Sequence, residues 1–207
     1  MLTATVILGW IGVLLFLIII FTFKKMARSN EYAFLHLLMA LMYAMWFPLP
    51  LALHHLAGSN TLLVGTIFGL AYLFMLVISM ALQTGHITFI SKNNEDHSIP
   101  EKHAEYMMAT LTNPFESLLG IFKSILAIFL AISFWQSDEL AMSSIMLLFG
   151  LFIFYYLLNT LDASLVKRVK LLSKVKPNIV VVNLETLFFF VVLMSYVTFT
   201  AFSHHPK

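Results

Sequence analysis

The chain of 207 residues contains no cysteine, and this absence excludes disulfide bonds, thiolate metal sites and cysteine nucleophiles. Charged residues are also scarce. Asp, Glu, Lys and Arg make up 11% of the sequence, whereas roughly 25% is usual in soluble domains. Between Glu31 and Lys92 there is no Asp, Glu, Lys or Arg at all. A stretch of this length excludes an ordinary soluble domain and can hold two membrane crossings of about 20 residues each.

The motifs of several common enzyme classes are missing too. The sequence has no P-loop, which argues against direct use of ATP, and it has neither the HExxH nor the G-x-S-x-G motif of hydrolases. The 12 Lys and Arg residues are dispersed among apolar segments, so the pI of about 8.8 does not indicate a nucleic-acid surface. We therefore predict no catalytic residue, no metal site, no cofactor and no nucleic-acid partner.

What the sequence does contain is six long apolar runs. Hydrophobic residues make up 60% of the chain, and its mean hydropathy is +0.92. Lipid-exposed backbone must satisfy its own hydrogen bonds, so each run is predicted to be a helix. We predict an all-α, polytopic integral membrane protein that forms a single membrane domain over residues 1–207. Its transmembrane helices are expected at about 4–23, 33–57, 61–86, 118–135, 140–161 and 179–202.

Basic residues accompany every second gap between these runs. They fall in loops of about 24–32, 87–117 and 162–178, whereas the gaps at 54–60 and 136–139 contain no Lys or Arg. The positive-inside rule places the three basic loops in the cytoplasm and both chain termini outside. No cation precedes the first run, so it is predicted to be an uncleaved span of a protein in the cell membrane, not a signal peptide.

Two charged residues lie within the predicted spans at a similar depth. Lys123 is about five residues into the fourth span and Glu185 about six into the sixth, so both are predicted roughly 8–9 Å from the cytoplasmic edge. An unpaired charge at a helix centre costs about 2.5–3.5 kcal/mol, which favours a buried pair, with Asn183 and Asn159 as further hydrogen-bonding groups. A proton or ion relay, a structural ion pair, and a snorkelling lysine beside a hydrated glutamate all fit this pattern.

Pro48 and Pro50 lie within the second predicted span. Because proline lacks a backbone donor, the helix is predicted to kink or break there, either as a packed kink or as a discontinuous helix of the kind that builds transporter sites. Three spans on each side of the long middle gap would permit an inverted repeat. The only similarity found between the two halves, between residues 7–9 and 118–120, is too short to predict an inverted repeat.

A basic stripe of Lys167, Lys170 and Lys174 follows the fifth span at helical spacing. Each cation near an anionic leaflet gains about 1 kcal/mol, which favours a lipid anchor over a regulatory switch. The predicted partners are the bilayer and its anionic cytoplasmic lipids. A second copy of the chain or another membrane protein are further alternatives.

Three classes of function remain open from the sequence. The first is a small carrier, permease or transporter component, favoured by the six spans, the proline pair and the buried charges. The alternative is a non-catalytic scaffold, sensor or regulatory protein that docks partners through its cytoplasmic loops. The third is a haem- or metal-binding membrane protein, favoured only by eight histidines, of which His36 and His86 lie on neighbouring spans.

Overall fold

The computed structural model describes residues 1–94, 101–107, 110, 112–165, 167, 169, 172 and 178–203. All regular secondary structure of these residues is helical. The α-helices are α1 (Leu2–Arg28), α2 (Tyr32–Met45), α3 (Pro48–Ala57), α4 (Thr61–Asn93), α5 (Glu101–Met107), α6 (Asn113–Gln136), α7 (Leu140–Ser164) and α8 (Ile179–Ser203).

Six helical segments of the described chain are long and apolar enough to cross a membrane, which confirms this part of the sequence prediction. They are Leu2–Arg28, Tyr32–Ala57, Thr61–Lys92, Pro114–Gln136, Leu140–Ser164 and Val180–Ser203. Several helices extend beyond the predicted spans. The apolar run marks only the part that suits hydrocarbon, whereas the backbone hydrogen bonds continue into polar residues such as Lys24 and Lys25.

The predicted break at the two prolines is present as a short turn between α2 and α3. Trp46 and Phe47 adopt turn conformation, and α3 starts at Pro48. In a continuous helix the N–H of residue 48 would donate to the carbonyl of Ala44, but proline has no N–H. Instead Phe47 N–H donates to Ala44 O at 3.2 Å, so the chain tightens and the carbonyl keeps a donor.

Pro50 is accommodated in the same way one turn later. Leu49 N–H donates to Trp46 O at 3.0 Å, the carbonyl that residue 50 would otherwise reach. Consecutive bonds to the residue three positions back are typical of a tightened turn. The two prolines therefore divide one apolar segment into two helices without leaving these carbonyls unsatisfied.

The α1–α2 and α6–α7 connections are two copies of the same turn. Residues 29–31 read Ser-Asn-Glu and residues 137–139 read Ser-Asp-Glu. The central residues Asn30 and Asp138 have positive φ angles of 56° and 60°, a conformation that Asn and Asp tolerate better than most residues. In both turns the glutamate N–H donates to the carbonyl five residues earlier at 2.9 Å, as in a Schellman motif.

The chain divides into two compact units. Unit 1 comprises Met1–Leu49, Leu73–Glu105 and Phe190–Lys207, and unit 2 comprises Pro50–Tyr72 and Tyr106–Phe189. In unit 1, α1 packs along α2, and in unit 2, α6 packs along α7. Helices α4 and α8 each contribute to both units.

The core of unit 1 is centred on Trp46, which is fully buried. Its indole N–H donates to Gly9 O at 3.0 Å, and its ring stacks on Phe190 with centroids 3.8 Å apart. The edges of Phe16 and Tyr43 complete the cluster. A Trp buried in this way needs a partner for its N–H, and the close approach of α1 supplies one.

The core of unit 2 depends on another close helix approach. Gly120 on α6 faces the ring of Tyr156 on α7, which would clash with any larger residue there. Nearer the turn, Ser143 Oγ donates to Ala131 O at 2.8 Å. The two contacts fix the antiparallel register of the α6–α7 hairpin and hold Tyr156 beside α6.

Candidate functional site

Unit 2 contains a buried ion pair between Lys123 on α6 and Glu185 on α8. Their side chains are 2% and 4% exposed, so both charges are removed from solvent. The contact joins Lys123 Nζ to Glu185 Oε2. Both residues were singled out from the sequence as charges at one depth, and the structure brings them into direct contact.

Three further side chains surround this pair. Lys123 Nζ donates to Thr186 Oγ1 at 2.6 Å and approaches Tyr156 Oη at 3.5 Å, so three acceptors face the three donors of the ammonium group. Tyr156 Oη in turn donates to Glu185 Oε2 at 2.9 Å. The ammonium nitrogen also lies 5.8 Å and 5.5 Å from the ring centroids of Tyr72 and Tyr156, a distance at which an aromatic ring attracts a cation.

The carboxylate of Glu185 is satisfied on one side only. Oε2 accepts from both Lys123 and Tyr156, whereas Oε1 is buried and has no hydrogen-bond partner among the described residues. A buried charged oxygen without a donor is costly, at roughly 1–3 kcal/mol or more. Oε1 is therefore the atom of this cluster that can accept a proton or a hydrogen-bond donor without breaking an existing contact.

The two asparagines predicted to assist the pair lie apart from it. Asn159 is buried on α7, one turn beyond Tyr156. Its amide nitrogen donates to Tyr155 O at 2.9 Å, and its Oδ1 has no partner among the described residues. Asn183 is half-buried two residues before Glu185, on a different face of α8, and bonds to neither charged residue.

The remaining predicted sites contribute nothing to this cluster. Pro48 and Pro50 lie at the start of α3. Of the basic stripe, Lys167 is exposed, while Lys170 and Lys174 lie outside the described residues. The histidine sites are equally separate, since His36 Nδ1 bonds to Tyr32 O at 2.7 Å and His86 is exposed on α4. Within the described ranges no three His, Asp or Glu side chains form a group that could hold a metal ion.

Sequence reasoning missed Tyr156, Thr186 and Tyr72. Tyrosine and threonine are common in apolar helices, so their composition alone gives no signal. A weak signal exists for Tyr156, because it lies three residues before Asn159 and so on a similar face of the helix. Only the packing of α7 into the space left by Gly120 selects this tyrosine over the adjacent Tyr155.

Comparisons with protein-family models, curated proteins and solved structures give no match to this chain. Function must therefore be inferred from the chemistry of the site itself. That chemistry is a desolvated Lys–Glu pair, held by a tyrosine and a threonine, with one carboxylate oxygen left open.

Proposed function

We propose that this protein is a small membrane carrier that couples solute movement to a proton held by Glu185. The observation that carries the proposal is the open Oε1 of a carboxylate that is otherwise fully engaged by Lys123 and Tyr156. Ionisable residues within apolar helices are rare and costly, and they commonly mark ion pathways and proton relays. A purely structural pair would favour donors on both carboxylate oxygens.

The proposed chemistry is a change in the charge of one residue. A proton added at Oε1 neutralises Glu185 and weakens its attraction for the Lys123 ammonium, which still has Thr186 and Tyr156 as acceptors. Loss of the proton restores the ion pair. Binding or loss of one proton would thus select between two packing states of nearly equal energy, which is what a coupled carrier requires.

Insertion into a membrane is part of this proposal. Large apolar side chains face outward on several helices, among them Phe21, Phe154 and Phe199, which are 81%, 64% and 75% exposed. Surfaces of this kind are unfavourable in water and suit a lipid environment. We place the protein in the cell membrane, with the termini outside and the loops at about 24–32, 87–117 and 162–178 in the cytoplasm, following the distribution of Lys and Arg.

The repeated turn supports the carrier proposal independently of the charges. Gly12 lies 17 residues before Ser29, and Gly120 lies 17 residues before Ser137. Each glycine makes room for an aromatic side chain from beyond the turn, Trp46 directly after α2 in the first case and Tyr156 on α7 in the second. The α1–α2 hairpin joins the first two of the six apolar segments, and the α6–α7 hairpin joins the fourth and fifth. With three crossings per half, the second half would run in the inverted orientation, an arrangement found in many secondary transporters.

The test uses protein reconstituted into vesicles that contain a pH-sensitive dye. A potassium diffusion potential, negative inside, drives protons inward, with or without a mixture of small cell-derived solutes outside. Wild-type protein should acidify the lumen faster when the solutes are present. Glu185→Gln cannot bind the proton, and we expect it to lower this solute-dependent rate at least about 100-fold.

Matched variants separate transport from folding. Glu31→Gln removes an exposed carboxylate that makes no side-chain cap bond, and it should transport like wild type. Because Glu185→Gln leaves Lys123 buried without its counter-ion, the double variant Lys123→Gln/Glu185→Gln is included as a neutral pair. The carrier proposal fails if no solute accelerates acidification by wild type, or if the folded double variant transports normally.

A further inference from the structure

The register of the α6–α7 hairpin places further polar groups in line with the proposed proton site. Gly120 lies opposite Tyr156, and Ala131 lies opposite Ser143. Continuing this antiparallel register away from the turn places Asn159 at the level of residues 116 and 117 on α6. These levels lie at the end of the hairpin that is predicted to face the cytoplasm.

Glu116 and Lys123 occupy one face of α6. Their separation of seven residues is close to two turns, or about 10 Å along the helix axis. Glu116 is half-buried near the start of α6, and the adjacent Ser117 is buried. A carboxylate thus lies at the mouth of the hairpin, on the helical face that leads to the buried pair.

Asn159 lies on α7 at about the level of Glu116, one helical turn from Tyr156 of the buried cluster. It is only 3% exposed, and its Oδ1 is one of two buried oxygens of α7 and α8 without a partner in the described chain. The other is Oε1 of Glu185. A polar atom this deeply buried normally has a partner, and a bound water molecule is the usual one where protein groups do not supply it.

The opposite direction along the hairpin lacks acidic groups and buried amides. Between Lys123 and the turn, α6 and α7 contain no Asp, Glu, Lys, Arg or His. The buried polar side chains there are hydroxyls. Those of Ser124 and Ser143 donate to backbone carbonyls, and Ser133 Oγ has no partner among the described residues. On these two helices, acidic groups and buried amides therefore lie on one side of the pair only, toward the end of the hairpin predicted to face the cytoplasm.

We infer that Glu116 and Asn159 form the inlet through which protons reach Glu185 from the cytoplasmic end. Glu116 takes a proton from solvent and becomes a carboxylic acid. A chain of water molecules, one of them held by Asn159 Oδ1, receives that proton and passes one on to Glu185 Oε1, and Glu116 returns to a carboxylate. One O–H bond forms for each that breaks, and one positive charge moves from the cytoplasmic end of the hairpin to Glu185. The inference rests on the proposed carrier function.

The first experiment tests the inlet without relying on transport. The natural chain has no cysteine, so single cysteines can be introduced at position 159 and, as a buried apolar control toward the turn, at position 127. A small charged methanethiosulfonate reagent, which modifies cysteines that water can reach, is added from the cytoplasmic side. Asn159→Cys should react at least about tenfold faster than Ala127→Cys, because only position 159 lies on the proposed water path. Equal rates would overturn the inlet.

The second experiment measures proton flux in the vesicle assay. Glu116→Gln and Asn159→Ala should each slow solute-dependent acidification about tenfold or more, and Glu116→Asp, which keeps the carboxylate, should restore most of the rate. Glu31→Gln is the control for Glu116. Asn93→Ala is the control for Asn159, because it removes the same side-chain bond to the carbonyl four residues back at an exposed site.

The two proposals fail in different ways. Loss of transport in Glu185→Gln, with normal rates in folded Glu116→Gln and Asn159→Ala, overturns the inlet and leaves the carrier function standing. Normal transport in the folded Lys123→Gln/Glu185→Gln variant overturns both. If Glu116→Asp is as slow as Glu116→Gln, the carboxylate is not the group that matters and the inlet is likewise rejected.

Discussion

Gly12 illustrates how a single hydrogen atom in place of a side chain shapes unit 1. A Cβ at this position would lie 2.6 Å from Trp46 Nε1, the atom that donates to Gly9 O. The indole could not move away without losing that bond and its stacking on Phe190. The absence of a side chain at Gly12 is therefore a condition for the aromatic core.

We expect Gly12→Ala to destabilise the protein, because overpacking a filled core costs about 1–3 kcal/mol. Gly85→Ala is the matched control. A Cβ there meets nothing within 4 Å, and alanine is the better helix former, so we expect no loss of stability. Denaturant unfolding in detergent measures both variants. If the two variants are equally stable, the close contact between position 12 and Trp46 does not restrict the size of the residue at position 12.

At the residue scale, the sequence predicted the charged members of the candidate site and missed the neutral ones. Lys123 and Glu185 stand out because charge is scarce in apolar runs. Tyr156 does not stand out, since its role depends on the space beside Gly120 and on the hairpin register. Asn183 was included by proximity in sequence, and the helical rotation over two residues directs it away from the pair.

At the element scale, α8 is capped by Asn178, which makes hydrogen bonds through both its side chain and its backbone N–H. Asn178 Oδ1 accepts from the N–H groups of Val180 and Val181 at 3.1 and 3.3 Å, and Asn178 N–H donates to Tyr155 Oη at 2.8 Å. An asparagine before a helix satisfies N–H groups that have no partner within the helix. The cap fixes the start of α8, and with it the position of Glu185 beside Tyr156.

Replacing Asn178 by alanine should lower the free energy of unfolding by about 1 kcal/mol, the usual contribution of an N-cap. Asn178→Asp keeps an acceptor at the same place and should retain most of the stability. The comparison is made by denaturant unfolding of reconstituted or detergent-solubilised protein. An Asn178→Ala variant as stable as Asn178→Asp would contradict the capping role.

The elements themselves were largely predictable because their apolar length is a direct physical requirement of the bilayer. The last span is rich in β-branched residues, yet it is helical, as expected where backbone polar groups must be satisfied locally. The matching turns at residues 29–31 and 137–139 were not predicted from the sequence. A comparison anchored on residues 7–9 and 118–120 pairs Gly9 with Gly120, whereas the turns pair Gly12 with Gly120.

At the scale of the whole molecule, the orientation in the membrane is the prediction that most needs measurement. The cysteine-free chain permits single cysteines at Lys25, Asn60, Asp138 and Lys167, which are all exposed. A membrane-impermeant maleimide added to intact cells should label positions 60 and 138 but not 25 and 167, because the basic loops stay in the cytoplasm. Labelling of 25 and 60 from the same side would refute the six-pass topology.

The length of α4 has a consequence for the membranes in which the protein can work. Its 33 residues measure about 50 Å, whereas the hydrocarbon layer is about 30 Å thick. Because α4 is longer than the hydrocarbon layer and satisfies its own backbone hydrogen bonds, it can remain helical in bilayers of different thickness. A change in thickness is then met by a change in the tilt of α4 and not by unwinding. Lipids of different acyl-chain length should therefore alter the inclination of α4 far more than its helicity.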